Sequence, residues 1–524
     1  MEIRKITCIQ FGGEYPDFCH RVVTPDYGMS LIATILSEAG YDVRVYMDHI
    51  MPPSWERIAD SDLVCLSCFM AGVEKTYRLA AQIRSKLGIP IIIGGTHASY
   101  FPESCLDYCD YVVLGEGDET ILDLVATLSK GDKVEKVAGI AYRIGDRVHR
   151  TTPRHGPKQF STVPDWSLIE GFGPMGLWEQ LVKMKMPMVA VQAARGCKSK
   201  CAFCPSTTMS PGGYRKRDVE SIISDMRDKR RYGETLVIVD NDFGAVRSHA
   251  KQLLLRMIQE NLGFDIFVYA RVELAKDDEL LGLMRQAGIK YVFQGYESVQ
   301  PETLAAFDKR QTVDQIIRSI EKLQSYEFSI WASFVLGADT DTRETVDRTI
   351  DFVLERDLSI SYFFPLWGHY PEPKFGYQTI VPWYRSIFRG WPYCDGHFVT
   401  HFPLQMKPSS LQEAVIDVYR TVYSPIQIVR ALAKGSIRDA RRRLVVRHQW
   451  NTIEKAIHSY IPFLEELEEG LYDSNGRLRE ERLFQRVQRD GKWTFQAGKR
   501  AVESLGLPDF GFPIKGEEGH VPST

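Results

Sequence analysis

Cys197, Cys201 and Cys204 fall within eight positions of one another in the stretch ARGCKSKCAFCPST, residues 193–206. The chain holds only 10 cysteines in 524 residues, so three in one short loop imply a shared task. Thiolates spaced C-x3-C-x2-C reach three corners of an iron–sulfur cube and leave its fourth iron open, and an open metal position takes up a substrate or cofactor. A structural zinc site needs a fourth Cys or His close by, and the first candidate after the loop, His249, is 45 residues beyond Cys204. Gly196 lies within the loop, and Lys198 and Lys200 offset thiolate charge. Cysteines dispersed over this length do not form a disulfide framework; in a reducing compartment a tight cluster of them binds metal or does redox chemistry.

Such a loop has to hang from rigid elements, and the chain exceeds what one hydrophobic core organises. Hydrophobic residues at 44% and charged residues at 25% are those of an ordinary globular protein. With 65 basic against 68 acidic residues, the net charge of -3 gives no global attraction for nucleic acid. Residues 1–150 alternate strand-length runs such as ITCIQF, YDVRVYM, DLVCLSC and IPIIIGG with amphipathic stretches such as VEKTYRLAAQIRSKLG. That pattern predicts a parallel α/β sheet, in which ligands sit beyond the carboxyl ends of the strands. Here those ends carry the turns Gly94-Gly95-Thr96-His97 and Gly115-Glu116-Gly117. A hairpin-like piece (139–150) leads into a Pro- and Gly-rich linker, residues 151–184, expected to wrap over the surface. Six more strand–helix repeats over 185–370 predict a partial (β/α)6 barrel whose first strand, MVAVQAA, feeds the cysteine loop. Residues 371–524 are aromatic and irregular at first, then helical from about 409 to 470, and are expected to form a mainly helical cap. The start MEIRKITCIQFGGEYPDF lacks the apolar core of a secretory signal, and no stretch approaches the roughly 20 apolar residues of a membrane span, so a cytoplasmic protein is expected.

RGCKSKCAFC, residues 195–204, resembles the signature of radical S-adenosylmethionine (SAM) enzymes, with Phe203 as the aromatic between the second and third cysteines. The resemblance covers roughly residues 185–370. It implies a [4Fe-4S] cluster on Cys197, Cys201 and Cys204 whose open iron chelates the amino and carboxylate groups of SAM, and whose electron splits SAM into methionine and a 5′-deoxyadenosyl radical. VIVDNDFG resembles the segment after the second barrel strand, implying Asp240 and Asp242 near the SAM amino group, where a carboxylate suits an ammonium. Without the resemblance these two read as N-caps of the next helix. YARVEL and GYES resemble the third- and fourth-strand segments, implying Arg271, Glu297 and Ser298 near the SAM carboxylate and ribose. VLGAD (335–339) resembles the fifth-strand glycine segment without its following proline pair, and FFPLWGHYPEP departs from the family's sixth-strand form.

The first 150 residues resemble the flavodoxin- or Rossmann-like domain of the cobalamin-binding class of radical SAM proteins. TPDYGMSLIATILSEAGYDVRVYMD, IIIGGTHASYFPE and YVVLGEGDET match three motifs in the expected order. The D-x-H-x-x-G motif that ligates cobalt in other cobalamin proteins is absent, since Asp48 and His49 are adjacent. The resemblance therefore implies base-off cobalamin with no histidine on cobalt. Its nucleotide tail would run along the backbone near Ser67, Gly94, Gly95, Gly115 and Gly117, with polar contacts from Thr96, His97 and Glu116. Cys65 and Cys68 lie on or at the end of an apolar strand and read as buried thiols.

Residues 400–425 resemble the extension of a subgroup that includes hopanoid methylases and the anaerobic oxidative cyclase of bacteriochlorophyll synthesis, implying a large apolar or lipid-like substrate. The basic stretch KGSIRDARRRLVVRH (434–448) reads first as a solvated helix face and second as a surface for phosphates or a membrane. The function implied is a cobalamin-dependent radical SAM enzyme, similar to the class B methyltransferases, that methylates an unactivated carbon. Cobalt is remethylated by a second SAM, and electrons come from a flavodoxin or ferredoxin. The alternatives are cyclisation, rearrangement or oxidation with the same cofactors, and a non-catalytic iron–sulfur sensor.

Overall fold

The computed structural model describes residues 2–13, 22–174, 186–210, 212–368 and 380–490. Residues 369–379, which hold the end of the sixth-strand segment and the start of the aromatic stretch, and residues 491–524 lie outside the described residues. The β-branched runs of the first part form β1 (Lys5–Gln10), β2 (Val22–Val23), β3 (Asp42–Met47), β4 (Leu63–Ser67), β5 (Ile91–Gly94) and β6 (Tyr111–Val113). Five of them pair in parallel in the order β3-β1-β4-β5-β6, and the hairpin β7 (Ile140–Ile144) and β8 (Arg147–Arg150) adds two antiparallel strands beside β6. This is a doubly wound sheet whose switch point lies between β1 and β4. Alternate residues go to opposite faces. Ile6, Cys8 and Cys65 share a core with Leu31, Ile121 and Leu124, whereas Ile9, Val64 and Leu66 pack with Val73, Leu79 and Ile83. Cys65 and Cys68 are buried thiols, as expected.

The second sheet is built from β9 (Met186–Val191), β12 (Thr235–Ile238), β13 (Asp265–Tyr269), β14 (Ile289–Glu297), β15 (Ser329–Leu336) and β16 (Ile360–Pro365), parallel and in chain order. A small antiparallel pair, β10 (Ala194–Arg195) with β11 (Arg215–Lys216), flanks the cysteine loop. Among the described residues β9 and β16 do not pair, so the six strands form the expected open barrel. One edge is extended from an unforeseen direction: β2, from the first part of the chain, pairs with β9 through Val22–Met186 and Val23–Pro187. Two residues are too short a run to register as a strand in sequence.

The other edge is covered by the helix Pro408–Val422 and the residue that ends it. The Ser361 amide donates to the Tyr423 hydroxyl at 2.7 Å, that hydroxyl donates to the Ser361 carbonyl, and the Phe363 amide donates to the Tyr419 hydroxyl at 3.0 Å. Edge groups that would otherwise recruit another strand are thereby satisfied. Helices Pro425–Ala433, Ile437–Glu468 and Glu480–Asp490 follow, which makes this part mainly helical as expected.

Residues 151–163 run over the surface as their composition suggested, but the segment then turns inward at Pro164, Trp166 and Ile169. Trp166 is fully buried, its ring centre 5.4 Å from both Phe172 and Tyr232, with the Lys229 ammonium 4.8 Å over its face. Ile169 bridges to Val45 of the first sheet, and buried Arg217, just past β11, donates to the carbonyls of Ser161 and Thr162. A Pro-rich segment looks like a loop in either place; buried cations decide that its carbonyls are needed inside. One apolar core consequently runs from the first sheet through Trp166 to the C-terminal helices, so the boundaries expected at 150, 184 and 370 do not separate independent cores.

His401 is buried where the C-terminal part docks on the end of β15, with its Nε2 2.7 Å from the Gly337 carbonyl oxygen. Gly337 has φ +94°, and a Cβ there would collide with Leu411. Burial, then the nearby Arg385 charge, lowers the His401 pKa from 6.5 to about 4. The unfolded chain therefore takes up a proton at this residue near pH 6.5 and the folded chain does not until about pH 4, so the contribution of His401 to stability is level above pH 6.5 and falls between those values. Chemical denaturation of the parent and of His401→Gln across this range should differ by that decline: the parent loses stability relative to the variant as pH falls from 6.5 to 4. Tyr423→Phe, which removes the partner of the Ser361 amide, should lower the unfolding free energy by about 1–3 kcal/mol.

Candidate functional site: a cleft between two sheets

The cysteine loop leaves β10 through Gly196, whose φ of +79° and close approach to the Gly213 carbonyl exclude any Cβ. Asp240, just past β12, anchors the loop's root: its Oδ1 accepts from the amides of Ala193 and Ala194 at 2.7 and 2.8 Å. Cys197, Cys201 and Cys204 are half-buried, and the Ala202 amide ties the loop to the Phe307 carbonyl at 2.9 Å. Arg271 Nη1 lies 3.6 Å from Cys201 Sγ. Burial raises the Cys201 thiol above its ordinary pKa, and the Lys309 and Arg271 charges restrain that rise. These two, rather than Lys198 and Lys200, are the cations at the thiol: Lys198 reaches the Ala245 carbonyl, and Lys200 is exposed. Among the described residues no three Cys, His, Asp or Glu converge on a point fit for one ion. A cube asks instead for separate thiolates on separate irons.

Asp240 and Asp242 do not cap the next helix, Arg247–Glu260, whose N-cap is Val246. Burial pushes their carboxyls up to about 7 and about 6 respectively. Asp242 Oδ1 accepts from the Arg271 amide at 3.2 Å. Glu297 sits at φ +63° at the end of β14, paired at 2.7 Å with buried Lys309, and Ser298 Oγ accepts from the Gln300 amide. Arg271 donates to the Lys309 carbonyl at 2.7 Å, so Asp242, Arg271, Glu297 and Cys201 belong to one connected patch at the ends of the barrel strands. Lys309 was not visible as a site residue in the sequence, since its pairing crosses 12 positions of loop and helix.

Beside the loop lies a cleft of about 360 Å³. One wall is the carboxyl end of the first sheet: Ser67, Gly94, Gly95, Thr96, Gly115, Glu116 and Gly117. The other is Gln192, Ala194, Arg195 and Gly196 leading into Cys197, with Met209, Val239 and Asn241. Seven of the eight residues expected near a corrinoid therefore line one cavity. His97 is the exception. It is buried behind the turn, with Nε2 2.8 Å from the Tyr77 hydroxyl, Nδ1 3.3 Å from Met70 Sδ, and its ring edge-on to Trp391 at 4.4 Å. The helix that begins at Thr96 turns the next side chain into the core, and the Trp391 that meets it comes from the C-terminal part.

Glu116 faces the cleft but is already engaged. Its carboxylate pairs with Arg195 at 3.1 Å and with Arg215, while Arg195 also reaches Asp118 at 2.9 Å. Burial raises the Glu116 carboxyl, but the two guanidiniums more than offset this and hold it below its usual range. This pairing locks the first sheet's last turn onto the strand that carries the cysteine loop. The role of Arg195 is not legible in its motif, because its partners lie 79 and 77 positions away.

The cradle fits a large ligand whose backbone contacts need glycine. Gly95 (φ +102°) would place a Cβ 2.9 Å from the Cys68 carbonyl oxygen, and Gly115 has φ +72°. The three half-buried thiols, with Cys201 beside cations, fit a cluster. Fold and site together define a class: a doubly wound corrinoid-type domain whose ligand cleft opens onto a radical-type open barrel. Residues 19–125 match the B12 binding domain and residues 191–353 match the Radical SAM superfamily. The chain belongs to the B12-binding radical SAM proteins, and its cofactors are a [4Fe-4S] cluster, SAM and cobalamin.

Its relatives include an uncharacterized methyltransferase of Pyrococcus horikoshii, 26% identical over 353 residues that cover 65% of this chain and 75% of the relative. The hopanoid C-3 methylase of Methylococcus capsulatus is 25% identical over 330 residues, covering 60% of this chain and 61% of the methylase. The methyltransferase TsrM of Kitasatospora setae, solved with cobalamin and a [4Fe-4S] cluster bound, shares the fold at TM-score 0.59 and 18% identity, covering 70% of this chain and 75% of TsrM.

Gly196→Ala should fold, yet bind cluster poorly: backbone strain of about 1–3 kcal/mol falls on the root of the loop. Iron and sulfide per chain after anaerobic reconstitution, compared with the parent, measure this loss.

Proposed function

We propose that this protein methylates an unactivated carbon of a small-molecule or lipid-like substrate. The observation that carries the reading is the shared cleft, in which the glycine turns of the first sheet face the root of the cysteine loop. When bound, the cofactors supply hydrogen abstraction from a strong C–H bond and a transferable methyl group. In this reading Cys197, Cys201 and Cys204 hold the cluster, and Asp242, Arg271, Glu297 and Ser298 orient SAM beside it. Asp240 acts indirectly, by holding the loop's root. Ser67, Gly94, Gly95, Gly115 and Gly117 accept the corrinoid along their backbone, with Thr96 as a polar contact and Glu116 as the lock that closes the cleft. His97 supports the turn from behind. The hopanoid methylase among the relatives supports a lipid-like substrate. The reductant is a small electron carrier such as flavodoxin or ferredoxin, and the location is the cytoplasm.

The test is anaerobic reconstitution of the whole chain with iron, sulfide and hydroxocobalamin, then reduction with SAM present. Retained corrinoid absorbance together with 5′-deoxyadenosine is expected, followed by a product heavier by one methylene once substrate is supplied. Cys197→Ala should abolish 5′-deoxyadenosine while keeping corrinoid, and Gly95→Val should do the reverse. Absence of corrinoid from the parent protein would sink methyl transfer. Absence of 5′-deoxyadenosine would favour the sensor reading, and a product without added mass would favour cyclisation or rearrangement.

A further inference from the structure

The helix Pro425–Ala433 buries only Ala431. Ile426, Val429 and Leu432 are 65%, 62% and 50% exposed, and Ile437 and Leu444 at the start of the helix Ile437–Glu468 are 75% and 56% exposed. Five of the 11 large apolar side chains exposed among the described residues thus lie within residues 426–444, which is concentration rather than the usual scatter. Helical spacing puts Ile426, Val429, Leu432 and Ala433 on the outer face, with Gln427, Ile428 and Ala431 turned inward.

The charge on this face is predominantly positive. Residues 424–448 contain seven Arg and Lys against a single Asp, in a chain of net charge -3. Lys434 and Arg443 are occupied by Asp357, Arg442 by Asp439, and Arg447 by the Tyr423 carbonyl. Arg430, Arg438 and Arg441 are exposed and flank the apolar stripe. No described helix is long and apolar enough to cross a membrane, and Pro425–Ala433 has nine residues. An apolar stripe edged by guanidiniums suits the boundary between lipid headgroups and acyl chains. Pairing of this face with itself in a second copy would set the same arginines against one another.

We propose that the helix Pro425–Ala433 and the first turns of the helix Ile437–Glu468 are a docking surface for an anionic phospholipid bilayer. The protein lies on the membrane through this face, with the apolar side chains in the interface and the three arginines on lipid phosphates. The inference stands apart from the methyl-transfer reading, since it uses none of the cleft residues.

Co-sedimentation of the full chain with vesicles of phosphatidylglycerol and phosphatidylcholine, and of phosphatidylcholine alone, tests it. Binding to the anionic vesicles only, weakened by salt, is expected. Each of Arg430→Gln, Arg438→Gln and Arg441→Gln should lower partitioning about fivefold. Val429→Ser with Leu432→Ser should lower it roughly tenfold or more, with an unchanged thermal midpoint because these side chains are exposed. No binding by the parent protein, or binding that neither set of variants alters, would overturn the proposal. So would light scattering that shows a dimer which Val429→Ser with Leu432→Ser dissolves, since the occupant would then be a second copy.

Discussion

A carboxylate held between two arginines sets the geometry on which the rest of the site depends. Glu116 is the middle residue of the first sheet's last glycine turn, and Arg195 and Arg215 are the antiparallel pair that brackets the cysteine loop. All three side chains are largely buried, so each would carry a heavy desolvation cost alone. Their mutual pairing offsets that cost only when the two sheets meet in one register. The interaction therefore works less as added stability than as a specification of how far the corrinoid cleft stands from the cluster loop.

Behind this contact the backbone is pinned by further buried polar groups rather than by packing alone. Asp240 takes two amides at the loop's root, Arg217 takes linker carbonyls, and Lys309 joins Glu297 to the neighbourhood of Cys201. Each is a polar group whose burial is tolerated because its partner is fixed. A loop that must hold three thiolates at separate corners gains from that rigidity, since an apolar contact permits sliding where a hydrogen bond does not.

The C-terminal part completes both sheets at a distance from the cleft. Tyr419 and Tyr423 satisfy the open edge of β16, His401 seats the chain on Gly337, and Trp391 closes over His97 behind the glycine turn. Trp391, Phe398 and Phe402 of the aromatic stretch are buried core. Its consequence for function is indirect: the turn that lines the cleft is held from behind by a residue nearly 300 positions later.

Local pattern determined much of this protein. The strand and helix order, the doubly wound sheet, the six-strand open barrel and the cysteine loop are all written in runs of a few residues, because hydrophobic period and glycine turns act over that range. Seven of the eight corrinoid candidates were legible for the same reason, since strand ends in a parallel sheet converge on one side. Tertiary structure alone decided that His97 faces inward, that Lys309 and Arg271 rather than Lys198 and Lys200 stand at Cys201, that the linker is anchored through buried Trp166 and Ile169, and that β2 crosses to the second sheet. Those outcomes depend on which distant group arrives as partner. Burial of a polar side chain is settled by that partner and not by its neighbours in sequence.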